Sequence, residues 1–394
     1  MKFQGYEIGV ELNGSSLAGN PGYVQFSISD SIHDLLPTGT FVVPDPTGHL
    51  KDNAIMTDGM KLGLTLGIGD DFVSLPMSAE SSEVSNALEA GRLSGTPVIR
   101  LTHAACLKLT ANGKKYSGTL SDVLSSAAQE VGLTSFDIEP TIGVGPWWRA
   151  GIDQRRFIED VLRPNMISHD SSGTPYFVFV DARGKLLGKS FASLIQGHAV
   201  RELLVAPRAV VDAMRQSVPL FDAKPFTEGF ESVRRSLLPT MRGLQGASLS
   251  LVSTDEKLID HTAGEGNSVP VVKPSGPTSI INLGRKLPSS PEDWFWKARI
   301  NDKFRDSVCH ERLLVTGMLD VLLTAGQPID LKVYLPSLST GVPTLSNHYN
   351  GRWLIERSTH MWNGPSKTGV TQLVIARSKA PYGSDTQLRS QVLS

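Results

Sequence analysis

The sequence is short of the features that mark the commoner functional classes. Its two cysteines, Cys106 and Cys309, are too few for a disulfide framework in 394 residues, which suits a chain that folds in a reducing cytoplasm. No uninterrupted apolar stretch reaches the roughly 18 residues of a membrane-spanning helix, so no stable membrane insertion is expected. The first residues, Met1-Lys2-Phe3-Gln4-Gly5-Tyr6-Glu7, meet charge at once and lack an apolar run, so a cleaved signal peptide is not expected either. Nor is there a surplus of charge. The 38 Lys and Arg stand against 39 Asp and Glu, a formal net charge of −1, without the basic excess of a protein that reads nucleic-acid sequence. What is present is ordinary globular material, 40% hydrophobic and 20% charged. The length allows two to four domains, because single cores rarely grow past about 250 residues.

Residues 1–112 read as an antiparallel sheet or barrel. Val24, Phe26 and Ile28 alternate with polar residues, as do Met60, Leu62, Leu64 and Leu66, and turn residues such as Asn13-Gly14, Pro44-Asp45-Pro46 and Gly69-Asp70-Asp71 separate the runs. The polar stretch Ser78–Gly95 reads as a loop or a short helix packed on that sheet. Residues 113–197 change period and read as a compact α/β unit. Thr119 is a helix N-cap with Asp122 three residues on, the apolar face runs from Leu120 to Val131, and Gly132 ends the helix. A second helix is predicted over Asp153–Leu162, stopping before Pro164. Pro175–Leu187 then reads as strand with a turn at Asp181-Ala182-Arg183-Gly184.

Residues 198–308 form a mixed segment. Arg201–Met214 and Thr227–Leu238 read as helical, Gly264–Pro277 as a loop, and Ser290-Pro291-Glu292-Asp293 as the start of a helix bearing Trp296, Ile300 and Phe304. Residues 309–380 return to strands at Leu313–Thr324, Ile329–Leu335, Trp353–Met361 and Gln372–Arg377, before a tail at 381–394. One internal echo stands out. Thr57-Asp58-Gly59 followed by Lys61–Leu66 lines up with Thr324-Ala325-Gly326 followed by Pro328–Val333, each a Thr-x-Gly turn leading into an alternating strand. Two related barrels separated by an insert is the economical interpretation.

Candidate chemistry is thin. Gly184–Ser190 ends in Gly-Lys-Ser but is one residue short of a phosphate-binding loop, and reads as a hairpin. His103/Cys106 and Cys309/His310 lack the recurring spacing of structural zinc sites. No Gly-x-Ser-x-Gly or His-Glu-x-x-His occurs. The acid pairs Asp70-Asp71, Glu159-Asp160 and Glu292-Asp293 suit turns and helix starts. Trp147-Trp148 and Trp294/Trp296, with no basic stripe beside them, read as core or interface anchors.

Three segments carry a family likeness. Arg100-Leu101-Thr102-His103 leads through Tyr116–Leu124. Gln154–Leu162 is followed by Tyr176–Asp181 and an Asp-x-x-Gly-Lys-Leu hairpin. Gly351-Arg352-Trp353-Leu354-Ile355 runs on to His360 and is followed by Thr368–Arg377. In order and spacing these resemble the hub proteins of contractile tails: phage late-control D proteins, baseplate central hubs and the N-terminal part of type VI secretion spike proteins. The resemblance implies a mainly β fold with an α+β insert: two tube-like antiparallel β-barrel domains, a small α/β domain and a mixed middle segment.

It also implies a structural homotrimer in the virion tail baseplate, assembled in the host bacterial cytoplasm. Such a trimer adapts a six-fold tail tube to a three-fold spike and leaves a channel for DNA or tape-measure protein. Its implied partners are the tail tube protein, a separate spike protein, baseplate wedge proteins and the tape-measure protein, with DNA passage non-specific. Because the sequence ends at Ser394 with no repetitive β-helical needle, the phage context is favoured over a type VI spike. No catalytic, cofactor-binding or metal residue is assigned. The alternatives left open are the secretion-system hub and, from another class, a nucleotide- or metal-dependent hydrolase.

Overall fold

The computed structural model describes residues 6–16, 24–43, 60–68, 71–89, 92–103, 113–142, 144–149, 151–170, 175–206, 222–226, 241–245, 250–254, 259–262, 271–274, 279–281, 305, 309, 311–335, 343–346, 349–366 and 368–377. Its N-terminal strands are β1 (Tyr6–Leu12), β2 (Ser15–Ser16), β3 (Gln25–Ser31), β4 (Thr38–Val42), β5 (Lys61–Ile68), β6 (Asp71–Glu89) and β7 (Arg92–His103). They pair antiparallel in the order β3-β4-β7-β6-β5-β1-β2. Asn13 and Gly14 both take positive φ, 49° and 80°, as the two-residue hairpin turn between β1 and β2 requires. The alternating residues behave as their period predicts: Phe26, Ile28, Met60, Leu62 and Leu64 are buried with Leu75, Met77, Ile99 and Leu101 in one core. The polar stretch Ser78–Gly95 is neither loop nor helix. It lies in the long β6–β7 ribbon, whose ladder continues to Glu89 opposite Arg92. Cross-strand backbone bonds form such a ribbon whether or not the sequence alternates, and this one has no apolar period to announce it.

The insert comprises β8 (Lys114–Thr119), α1 (Leu120–Glu130), β9 (Phe136–Ile138), β10 (Val144–Arg149), a helix α2 (Gln154–Arg156 continued by Phe157–Leu162), β11 (Tyr176–Val180), β12 (Leu186–Ser190) and α3 (Phe191–Gln196). Thr119 caps α1 reciprocally: its Oγ1 accepts from Asp122 N at 3.3 Å, and its own N–H donates to Asp122 Oδ2 at 3.2 Å. Gly132, at φ 84°, follows its C-terminus. The first turn of α2, Gln154–Arg156, is α-helical and the rest, Phe157–Leu162, has π geometry. The helix ends at Leu162, before Pro164 as the sequence predicts, and a 3-10 turn, Arg163–Asn165, carries the chain through the proline. Proline at the start of a turn forfeits no hydrogen bond there. Leu120, Val123, Leu124, Ala127, Phe157, Ile158 and Leu162 pack with Tyr176, Val178 and Leu186 in the insert's own core.

The remaining strands are β13 (Glu202–Val205), β14 (Asp222–Phe226), β15 (Met241–Gln245), β16 (Ser250–Thr254), β17 (Ile259–Thr262), β18 (Val271–Pro274), β19 (Ser279–Ile281), β20 (Glu311–Met318), β21 (Pro328–Leu335), β22 (Thr344–Leu345), β23 (Gly351–Asn363) and β24 (Thr368–Arg377). Where a helix was read from Arg201, β13 lies parallel to β21. Leu203 enters the core of the C-terminal strands, and that packing overrides local propensity. The supposed loop at Gly264–Pro277 contains β18. The strand read to Thr324 ends at Met318, and the Asp320 carboxylate accepts from Leu322 N in the turn beyond. The helices read over Thr227–Leu238 and from Ser290 lie outside the described residues.

β3 is flanked by β4 on one side and β23 on the other, with Arg357 opposite Ser31 and Asn363 opposite Gln25. A single 14-stranded sheet therefore runs from β14 through β20, β24, β23 and β3 to β2, with β13, β21 and β22 branching from it. The mainly β architecture with a small helical insert is as the sequence suggests. The two strand-rich ends of the chain are joined as halves of one sheet, and no sheet closes into a barrel among the described residues.

Candidate functional site at the joint between the sheet halves

A group of deeply buried polar side chains gathers where β3 meets β23. Asp30, near the end of β3, is 2% exposed. Its Oδ2 accepts from Ala182 N at 2.9 Å, in the insert hairpin, and from Ala325 N at 3.1 Å, in the turn before β21. Ser358 Oγ donates to Oδ1 and lies 3.2 Å from His360 Nε2, while His360 Nδ1 lies 3.1 Å from Thr371 Oγ1. One carboxylate thus ties together both sheet halves and the insert. Its donors are neutral, so burial prevails and raises its pKa to about 6. Burial likewise lowers His360 to about 4, so the ring is neutral at pH 7.

A second acid lies at the adjoining end of the joint. Glu356 sits at a β-bulge, where the β23–β24 register slips between Ile355 and Arg357, and bulges re-aim side chains. Arg312, on β20, grips its carboxylate with Nε at 2.6 Å and Nη2 at 2.8 Å. His33, just past β3, meets Oε1 at 2.9 Å. Desolvation opposes ionisation of Glu356, but His33 and Arg312 outweigh it and hold the carboxyl below its ordinary value. Beside them stands Cys309, wholly buried, whose thiol is pushed up chiefly by burial. Around this cluster Arg163 Nη1 donates to His33 O at 2.8 Å, and Phe177 presents its ring edge-on to the His33 imidazole. Ile32, Phe177, Phe179, Phe191, Cys309, Ala325 and Leu354 form an apolar core drawn from both sheet halves and the insert.

The residues singled out in the sequence scatter. Lys189 of the Gly-Lys-Ser segment is on β12 and pairs with Asp137 at 2.9 Å. Ser190 caps α3 through Ser193 N and binds the Glu139 carboxylate. The segment is strand and cap, with no loop of amides for a phosphate. His103 is buried beneath Gly184, where an added Cβ would come within 2.8 Å of its Nε2, and burial lowers its pKa to about 4. Among the described residues, Cys309 stands with His33 and Glu356, residues that no local spacing connects. Cys106, His310, Asp70, Glu292, Asp293, Trp294 and Trp296 lie outside the described residues. Glu159 pairs with Arg155 at 3.2 Å. Trp147 packs on the insert core, while its neighbour Trp148, on the other face of β10, is 71% exposed.

No protein-family model matches the chain, and no curated protein does. Solved structures do. A tail protein from Neisseria meningitidis MC58 superposes with a TM-score of 0.52 at 10% identity, covering 95% of this chain and 96% of that one. The 43 kDa tail protein of prophage MuSo2 from Shewanella oneidensis gives 0.53 at 10% identity, covering 95% and 99%. Over 95% of its length the chain superposes on these two tail proteins and shares their fold.

Proposed function

We propose that the chain is a structural baseplate hub of a contractile phage tail, a trimeric adaptor between a six-fold tube and a three-fold spike, with a lumen for DNA or tape-measure protein. The observation that carries this reading is the fold shared over 95% of the chain with two tail proteins. Support also comes from the internal echo. Leu62 and Leu64 on β5, and Ile329 and Leu331 on β21, are buried at matching steps after the two Thr-x-Gly segments, as two related strand units would require. A trimer of such a chain would offer six related sheet halves on one face and three-fold symmetry on the other, with its heterologous contacts closed into a ring. The activity is then geometric, and no residue has a catalytic role.

Absolute mass in solution by light scattering, with negative-stain images of the same peak, tests the proposal. A three-fold ring with a central hole is expected. A chain that stays monomeric even beside its neighbouring tail proteins would refute the adaptor role.

A further inference from the structure

Among the described residues, His33, Cys309 and Glu356 are the group of ligand-type side chains whose donor atoms all fall within 4.8 Å of one another. An imidazole nitrogen, a sulfur and a carboxylate oxygen are the three donor types that zinc accepts, and three protein ligands with one open position form a recurrent zinc arrangement. We propose that these three side chains form a binding site for a zinc-class divalent cation. The site lies within one chain and does not depend on what that chain assembles with.

The backbone holds the three donors in place from separate segments. Glu356 is turned inward by the bulge in β23, and its carbonyl accepts from Ile32 N at 3.0 Å, which fixes His33 one residue on. Cys309 stands two residues before β20, the strand that also carries Arg312. With zinc–ligand bonds of about 2.0–2.3 Å, tetrahedral donors stand roughly 3.3–3.8 Å apart. An edge near the 4.8 Å limit would therefore contract, while the His33–Glu356 pair, now at 2.9 Å, must open slightly.

Charge can be followed through the step. The cation replaces the proton of the Cys309 thiol, which is released to solvent, and His33 gives up its hydrogen bond to Oε1 in order to present a lone pair. Arg312 keeps its Nε on Oε2, so the guanidinium orients the carboxylate in the way outer partners commonly orient metal ligands. It also leaves one excess positive charge at the loaded site. Binding should accordingly weaken as pH falls, because protons compete for the thiolate and the imidazole.

The test uses the full chain, stripped with a chelator and titrated with cobalt(II). A thiolate-to-cobalt charge-transfer band in the near ultraviolet should saturate at one equivalent and be displaced by zinc. It should vanish in Cys309→Ser, weaken tenfold or more in Glu356→Gln, and persist in Cys106→Ser. Absence of the band in the folded wild-type chain would overturn the site and leave a hydrogen-bonded Cys–His–Glu cluster, and so would a band retained in Cys309→Ser. Should Cys309→Ser fail to fold, His33→Asn, at a partly exposed position, reads the same loss.

Discussion

Two buried acids at one joint are satisfied in opposite ways. Asp30 is held by two backbone amides and a hydroxyl, all neutral, and is poised to take up a proton near pH 6. Glu356 is held by a guanidinium and an imidazole and stays ionised. Both carboxylates bring distant segments together, but only Glu356 has a charge to balance its own. A carboxylate with neutral partners pays for its ionisation out of the stability of the fold, whereas one with a cationic partner transfers that dependence to the partner.

The contrast can be broken most severely at the ion pair. Glu356→Gln removes, in a largely buried setting, the carboxylate charge that Arg312 and His33 both face, and should cost about 3–5 kcal/mol, read as a lowered urea midpoint. Next comes Gly326→Ala, in the turn that supplies one of the amides to Asp30. Gly326 has φ of 80°, and an added Cβ would run into the Phe179 ring. Strain and overpacking together should cost about 3 kcal/mol in the same assay.

The neutral-donor acid should behave differently. Its folded pKa of about 6 exceeds its ordinary 3.8, so the folded state binds the extra proton between those values, and stability from this group falls as pH rises through that window. Asp30→Asn removes that dependence. The stability difference between variant and wild type should move in the variant's favour by on the order of 2–3 kcal/mol between pH 4 and 7. His360, whose pKa is lowered to about 4, acts with the opposite sign, losing stability as pH falls below 6.5, and cancels in that difference. The smallest effect is expected at the exposed pair of Lys332 and Glu202, 2.8 Å apart. Glu202→Gln should cost less than about 0.5 kcal/mol and nothing at high salt, which would confirm that burial, rather than pairing as such, gives Glu356 its weight.

Much of the fold was legible because its signals are local. The capping box of Thr119 and Asp122, the glycine after α1, the Asp181–Gly184 turn and the alternation of Phe26 and Ile28 each need only a few neighbouring residues. The failures have the opposite character. β13 is a strand because β21 lies beside it, and the β6–β7 ribbon is held by its partner strand, with no apolar pattern to announce it. The joint was the least legible part. Asp30 and Ser358 read as unexceptional polar residues of strands, and nothing in the neighbourhood of Glu356 announces a bulge. The sequence sets Cys309 beside His310 and offers the pair His103/Cys106 as company, while the described ligand-type side chains that meet it in space are His33 and Glu356.

The seam between β3 and β23 also bears on how the protein is made. Ser29 donates to the carbonyl of Ser358, 329 residues away. On a ribosome adding about 5–20 residues per second, β3 emerges from roughly 15 s to a minute before the strand that will cover it. For that interval its outer edge is an open template for pairing with another nascent chain, and the N-terminal half must wait, or be guarded, until β23 arrives.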